Sequence, residues 1–348
     1  MYKNNYELES EFNRRYSPTT SSILQILSNN SRATISEIAQ ALGISRNSAA
    51  RRLKAIEKEF GISYTIELSQ SRIGLQSPHI IQVKFDREAD YEKIAEVLGN
   101  SYIPQITFRT YGLYDMVIYA NATSKMRYAK WDREIRVALA SKYGMHWRSS
   151  EVIIRRLGFF PFSNGLIDAS RIQEKEKEIL KILNSNSRMQ MADIADNLGI
   201  NYQTAIYRIN ELVKKKYLKR FTICMDPPKD SCLIGVFGRY LPPKDMAMAS
   251  ITTRRLFTND DQSAIASRWQ LKASLIGSYD TFAIGLFDNF YAAYSYGVKG
   301  FRSSLKSSGP ISLSHARIGE VICGRLPIRN MDIKKEYREH MVAPKNSQ

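Results

Sequence analysis

Cysteine is scarce in this 348-residue chain: Cys224, Cys232 and Cys323 are odd in number and lack C-x-x-C spacing. Such a trio supports neither a disulfide framework nor a structural zinc site, and the three are expected to be small buried hydrophobes. No stretch approaches the ~20 apolar residues of a membrane span. The opening MYKNNYELESEFNRR is too charged and too aromatic for a secretion signal. A soluble, cytoplasmic protein is therefore expected. Histidine is sparse too, with His79, His146, His315 and His340 dispersed and unpaired by any motif. No P-loop, H-E-x-x-H, G-x-S-x-G or dinucleotide glycine pattern occurs. Catalysis, a cofactor and a metal thus lack sequence support, and the expectation is that the chain is not an enzyme.

Acidic residues are the other deficit, 34 against 51 Lys+Arg, for a formal charge of +17. Residues 1–168 carry an excess of 6 and the remainder an excess of 11, so the surplus is shared by both halves. Such a balance points to a polyanionic partner, although ribosomal and membrane-surface proteins share it. At roughly 100 to 200 residues per domain the length allows two or more cores, and a 43% hydrophobic content can fill them.

What the chain does have is an internal repeat. Residues 23–58 align without a gap on residues 179–214 at a constant offset of 156, with 15 of 36 positions identical, among them Ser31/Ser187, Arg32/Arg188, Gly43/Gly199 and Arg52/Arg208. Further on, Tyr111-Gly-Leu-Tyr-Asp115 recurs as Ile276-Gly-Ser-Tyr-Asp280, and Glu151-Val-Ile-Ile-Arg-Arg-Leu157 as Glu320-Val-Ile-Cys-Gly-Arg-Leu326. The chain reads as a duplicated two-module unit, A-B-A′-B′, jointed in the turn-forming stretch at 162–166. The expected boundaries are 1–70 and 166–228 for the A modules, 71–165 and 229–328 for the B modules, and 329–348 for a basic tail.

In A, Ile23, Leu24, Ile26 and Leu27 recur with helical spacing, and Ile35, Ile38, Ala39 and Leu42 mark a second amphipathic helix. Gly43 suits the left-handed position past that helix, and Ser45 suits the N-cap of a third helix running to about Lys58. Helix, glycine turn and capped helix is the pattern of a DNA-reading helix-turn-helix. In A′ the equivalents are Ile194, Leu198, Gly199 and Asn201. With Ala49, Leu53 and Ile56 turned to the core, the third helix leaves Arg46, Asn47, Ala50, Arg51 and Lys54 outside. Arginine can pair with guanine and asparagine with adenine in a major groove. The A′ face is Tyr202, Gln203, Thr204, Ile206, Tyr207 and Asn210, a different chemistry, so an asymmetric duplex site is expected. Arg52 and Arg208, kept in both copies, suit either a phosphate contact or a structural salt bridge. Arg32 and Arg188 are placed for backbone contact. Lys214-Lys215-Lys216, Lys219 and Arg220 could begin a wing lying along phosphates or form a solvated helix end.

In B, His79–Phe85 alternates like a strand and Asp90–Leu98 is helical in spacing. Strands follow at Ile106–Thr110 and Asp115–Ala120, then a helix over about Lys125–Ser141 and a last strand at Glu151–Leu157. The order β-α-β-β-α-β is the split βαβ fold. Gly112 and Gly277 fall at the central hairpins, where a positive φ would explain glycine. B′ repeats the order, although Pro242-Pro-Lys obscures its first helix. Each four-stranded sheet leaves one face uncovered, so B and B′ are expected to pack sheet to sheet. The fold class is α+β.

The stretches IL-x-IL-x-x-N-S-R, I-A-x-x-L-G-I-S with Arg52 beyond it, and G-x-Y-D at Gly112–Asp115 and Gly277–Asp280 resemble those of the Lrp/AsnC family of prokaryotic transcription regulators. The resemblance covers nearly the whole chain apart from its ends. It implies an N-terminal winged helix-turn-helix and a C-terminal ferredoxin-like assembly domain in each unit, with double-stranded DNA as partner and homo-oligomers possible. As family members usually carry one unit and dimerise, this chain is similar to a covalent pseudo-dimer. The family also binds small effectors, often amino acids, near the G-x-Y-D hairpin, which implies a ligand role for Gly112, Asp115, Gly277 and Asp280. Siroheme decarboxylases resemble the same architecture and form one alternative. A nucleoid-type protein that packages DNA without reading it forms another.

Overall fold

The chain, seen in a computed structural model, is described over residues 18–157, 172–226, 231–240, 269–287, 289–298, 311–324 and 326–327. The joint at 162–166, the segment expected to hold the first helix of B′, His340 and the tail around Lys334–Arg338 lie outside these residues.

Module A is built of α1 (Pro18–Asn29), α2 (Ile35–Leu42) and α3 (Arg46–Phe60). Thr34 starts α2 with a reciprocal capping box: its hydroxyl accepts from Glu37 N–H at 3.2 Å, and its own N–H donates to the Glu37 carboxylate at 2.7 Å. The turn into α3 is made by Gly43 at φ 62°, and Ser45 caps α3 by accepting from Ser48 N–H. A′ repeats this with α6 (Glu174–Ser185), α7 (Met191–Leu198) and α8 (Tyr202–Lys214), Gly199 at φ 60° and Asn201 as cap of α8. The third helix of A ends two residues later than expected, where Phe60 closes the core seam and Gly61 turns left-handed.

The strands that follow the helices do not stay with their own modules. β1 (Ser63–Leu68) of the first unit pairs antiparallel with β6 (Leu218–Met225) of the second, from Ser63↔Cys224 to Leu68↔Leu218. A short β11 (Leu326–Pro327) adds to the other side of β6. The two winged helix-turn-helix domains therefore share one sheet.

The first ferredoxin-like unit comprises β2 (Ser77–Phe85), α4 (Tyr91–Gly99), β3 (Pro104–Gly112), β4 (Met116–Ala122), α5 (Lys125–Tyr143) and β5 (Met145–Leu157). The second contributes β7 (Cys232–Tyr240), β8 (Trp269–Gly277), β9 (Thr281–Phe287), a helical turn Phe290–Ala292 that continues as a π-turn Ala293–Val298, and β10 (Ile311–Cys323). Both units show the same internal strand order, β3-β4-β2-β5 and β8-β9-β7-β10. The chain is thus α+β, two winged helix-turn-helix domains alternating with two ferredoxin-like ones. The last strand of B starts six residues earlier than its apolar run suggested, because the polar Met145–Ser150 stretch pairs along β2.

The two sheets do more than face each other. Their edges join, β5 to β8 and β10 to β3, and close an eight-stranded barrel. The face-to-face expectation is corrected in this respect: edge strands find backbone partners in the other unit, which removes free edges as well as burying the faces. The inner faces form a common core, in which Phe108, Val117 and Tyr119 belong to the same cluster as Phe237, Phe282 and Ile284. Outside the first half, Trp131, Ile135 and Leu139 of α5 pack on Ile81, Val83 and Ile118. Cys224 and Cys232 are buried as expected, whereas Cys323 is half-buried. Among the described residues no helix is long and apolar enough to cross a membrane.

Candidate nucleic-acid interface

The recognition helices α3 and α8 turn their apolar seams inward: Ala49, Leu53 and Ile56 are buried, and so are Ala205, Ile209 and Leu212. This leaves Arg46, Asn47, Ala50, Arg51, Arg52 and Lys54 exposed on α3. On α8, Tyr202, Gln203, Tyr207 and Asn210 are exposed, with the tyrosines 49% and 65% open to solvent. Ser45 is occupied as a cap, and Thr204 offers its N–H to the Asn201 cap. The two faces differ in chemistry, one cationic and the other aromatic and amide-bearing.

A local two-fold relation holds these helices on one base. Ser31 and Ser187, which are 156 residues apart, meet each other through their hydroxyls at 2.6 Å. Around them the contacts come in mirrored pairs. Ser31 N–H donates to Phe221 O and Ser187 N–H to Tyr64 O, each at 3.1 Å. The Thr65 hydroxyl donates to Asn184 O at 2.9 Å, and the Thr222 hydroxyl to Ser28 O at 2.8 Å.

Arg32 and Arg188 belong to this base and not to the outer surface. Arg32 donates to Met189 O at 2.9 Å and lies over the Phe221 ring. Partial burial lowers its pKa from the ordinary arginine value. Arg188 donates through Nε to Ser31 O at 2.6 Å and through Nη2 to Ala33 O at 3.3 Å, and its guanidinium sits 4.0 Å from the Tyr64 ring centroid. Its Nη1 lies 3.7 Å from the Glu57 carboxylate of α3, to which the Tyr64 hydroxyl also donates. Burial, reinforced by that carboxylate, raises the Tyr64 pKa. The expectation of phosphate contact for Arg32 and Arg188 gives way to these cross-module bonds: the sequence showed retention in both copies but not which way the side chains turn.

The basic run after α8 divides similarly. Lys214 and Lys215 stand 3.8 and 3.6 Å from Glu211. Lys216 takes a left-handed φ of 57° at the turn into β6. Lys219 and Arg220 both reach Glu67 of β1, Arg220 at 2.7 Å with both side chains largely buried, so Arg220 ties the shared sheet together. Arg208 donates to Gln173 Oε1 at 3.2 Å, at the start of α6, while Arg52 is exposed.

The G-x-Y-D hairpins occupy the seams of the barrel. Gly112 and Gly277 have φ of 126° and 138°, as expected for glycine. A Cβ on Gly277 would meet Ser149 O at 2.9 Å and Ser150 Cα at 3.0 Å, and one on Gly112 would meet His315 O at 3.4 Å. Each glycine thus lets the other unit's strand approach. Asp115 accepts from Phe85 N–H at 2.8 Å and pairs with Lys84 at 2.7 Å. Asp280 donates its backbone N–H to Gly238 O. Between the hairpins the Tyr114 and Tyr279 hydroxyls bond to each other in the barrel core. Burial, followed by that bond, raises the Tyr114 pKa. Sequence reasoning overlooked this pair, although the recurring Tyr of G-x-Y-D was the signal for it. The described histidines lie apart: His79 stacks on Tyr128 at 3.6 Å, His315 faces Tyr294, and His146 sits 3.5 Å from Asp86.

This architecture sets two winged helix-turn-helix modules on a ferredoxin-like platform. Residues 17–59 and 172–219 each match the winged helix-turn-helix DNA-binding family. No curated protein matches the chain. Along its whole length the fold is similar to the siroheme decarboxylase NirDL, at 12% identity and a TM-score of 0.53, covering 93% of this chain and 98% of that one. NirDL has also been solved with an iron-uroporphyrin III analogue. An AsnC family transcriptional regulator from Agrobacterium tumefaciens matches at 15% identity and TM-score 0.34, over 48% of this chain and 99% of its own. A Neisseria meningitidis regulator solved with L-Met matches at 23% identity and TM-score 0.32, over 39% and 88%. The full-length likeness to a decarboxylase overturns the expectation that the chain is not an enzyme, since the same tandem architecture carries catalysis in NirDL.

Proposed function

We propose that this chain is a sequence-specific, double-stranded DNA-binding transcription regulator in which α3 and α8 read unlike halves of one site. The observation that carries the reading is the mirrored base around Ser31 and Ser187, which supports two exposed and chemically different recognition helices in fixed relation. In the proposal Arg46, Asn47, Arg51 and Lys54 read one half-site, and Tyr202, Gln203, Tyr207 and Asn210 the other, in major grooves roughly 34 to 36 Å apart or a multiple of that. Arg52, Lys214, Lys215 and Lys216 add phosphate contacts. An effector at the G-x-Y-D hairpins would have to part the glycine seams, and so would act on barrel closure.

The test is selection of bound duplexes from random DNA, followed by footprinting of the selected site. Arg51→Ala with Lys54→Ala should weaken one half of the footprint, and Gln203→Ala with Asn210→Ala the other. An unchanged footprint in both variants, or a preference under about 10³-fold over random duplex, would overturn base reading.

A second reading rests on the full-length likeness to NirDL: a tetrapyrrole-binding enzyme on the same frame. Titration with siroheme, followed by the pigment's absorbance and by carbon dioxide release, tests it directly. No spectral change would dismiss it.

A further inference from the structure

Among the described residues β5 is unpaired along part of one edge. Its residues 145–151 pair with β2, but β8 joins on the other side only from Ser150 onward, so among the described residues 145–149 have a partner on one side alone. Asp86 N–H donates to Gly144 O across the β2 side. Antiparallel alternation then directs the N–H and C=O groups of Met145 and Trp147 away from β2, toward the open side, whereas Ser149 O lies against Gly277. An unpaired edge of this kind is a template for another strand.

The open edge runs along a cleft of about 580 Å³. One wall is a face of α5, where Arg133, Arg136, Val137 and Ala140 recur at helical spacing. The floor takes in Met145 and Trp147, whose side chains pack toward α5. His146 and Arg148, of opposite strand parity, line the other side. Residues of both parities border the cleft because it follows the strand's edge and not a sheet face. Among the described residues the lining holds three arginines and a histidine but no carboxylate, with Asp86 standing behind His146 at 3.5 Å. Asp132 at its rim is taken up by Arg136 at 3.1 Å and by the Trp147 indole N–H at 2.9 Å. Helix wall, open strand edge, apolar floor and cations on both sides form a groove for an added strand.

We propose that this cleft binds an extended acidic peptide of a partner protein as an additional strand on β5. Its backbone pairs with Met145 and Trp147, and side chains of one parity carry carboxylates to Arg133 and Arg136 of α5, while apolar side chains of the other parity turn to the opposite face.

A fluorescein-labelled nonapeptide of alternating Glu and Val, titrated with the full chain in anisotropy, tests the proposal. Three comparisons accompany it: the same peptide N-methylated at alternate residues in either of the two registers, a Lys/Val counterpart, and the Arg133→Glu/Arg136→Glu chain. All substituted side chains are exposed, so the fold should be kept, and circular dichroism checks this. The expected result is saturable binding, weakened at least tenfold by N-methylation in one register, by the lysine peptide and by the double substitution. Equal binding of both N-methylated peptides would overturn strand addition, because charge alone would then account for affinity. Absence of binding, or displacement of the peptide by short duplex DNA with equal loss in the variant, would overturn a peptide site.

Discussion

Replacing Arg188 by Met should be the most informative perturbation of the base beneath the recognition helices. Methionine keeps the aliphatic stem but removes two charged hydrogen bonds, to Ser31 O and Ala33 O, and the stacking on Tyr64. A hydrogen bond to a charged group contributes about 1.5 to 3 kcal/mol, and a partly exposed cation–π contact about 0.5 to 1. The longer of the two bonds falls at the low end, and the Glu57 pair is discounted because both side chains are about a third exposed. The loss should be about 3.5 to 5.5 kcal/mol. The mirrored Arg32→Met removes one bond to Met189 O and a looser contact, 4.8 Å from the Phe221 centroid, and should cost about 2 kcal/mol. Urea denaturation followed by circular dichroism measures both. The consequence for DNA should also be one-sided, since Arg188 bears on α3 through Glu57 whereas the equivalent of Glu57 on α8 is Val213. A larger loss for Arg32→Met, or equal weakening of both footprint halves by Arg188→Met, would refute this reasoning.

Gly277→Ala, which drives a Cβ to within 3.0 Å of the β5 backbone at a positive φ, should destabilise the barrel by about 2 to 3 kcal/mol, and Gly112→Ala by about 1 to 2, measured in the same denaturation assay. Burial lowers the His79 pKa from its ordinary 6.5, so the folded state favours the neutral ring. Its contribution is complete above pH 6.5 and declines as pH falls from there toward the lowered folded value, because the unfolded chain takes up the proton first. His79→Phe, which preserves the stack on Tyr128, should shrink the stability difference between pH 7.5 and 5.5. If about six Lys/Arg neutralise phosphates, affinity should fall with salt at a log-log slope near −5, and a flat response would refute the electrostatic part.

The helix-turn-helix cores were legible because local chemistry specifies them: the turn glycines, the Ser45 and Asn201 caps and the 3.6-residue apolar spacing all act within a few residues. The barrel was only half legible. Alternation in β2 showed which faces are buried, but edge pairing of β5 with β8 depends on register between segments more than 100 residues apart. The same distance hid the roles of Arg32, Arg188 and Arg220. Each is a surface-type residue in sequence whose carbonyl or carboxylate partner lies in the other unit. The absence of an enzymatic motif likewise carried no weight, since a fold can host chemistry without a local signature.

The exchange of β1 and β6 between units has an evolutionary consequence. In a dimer of identical chains every residue near the axis must suit both copies of itself, so a change there is made twice. A fused chain is released from that symmetry everywhere except where a side chain touches its own counterpart. Ser31 and Ser187 are still alike, while Glu57 and Tyr64 stand opposite Val213 and Phe221. One half could therefore drift toward a new partner while the other preserved the ancestral one, and neither could be lost without taking a strand from its neighbour.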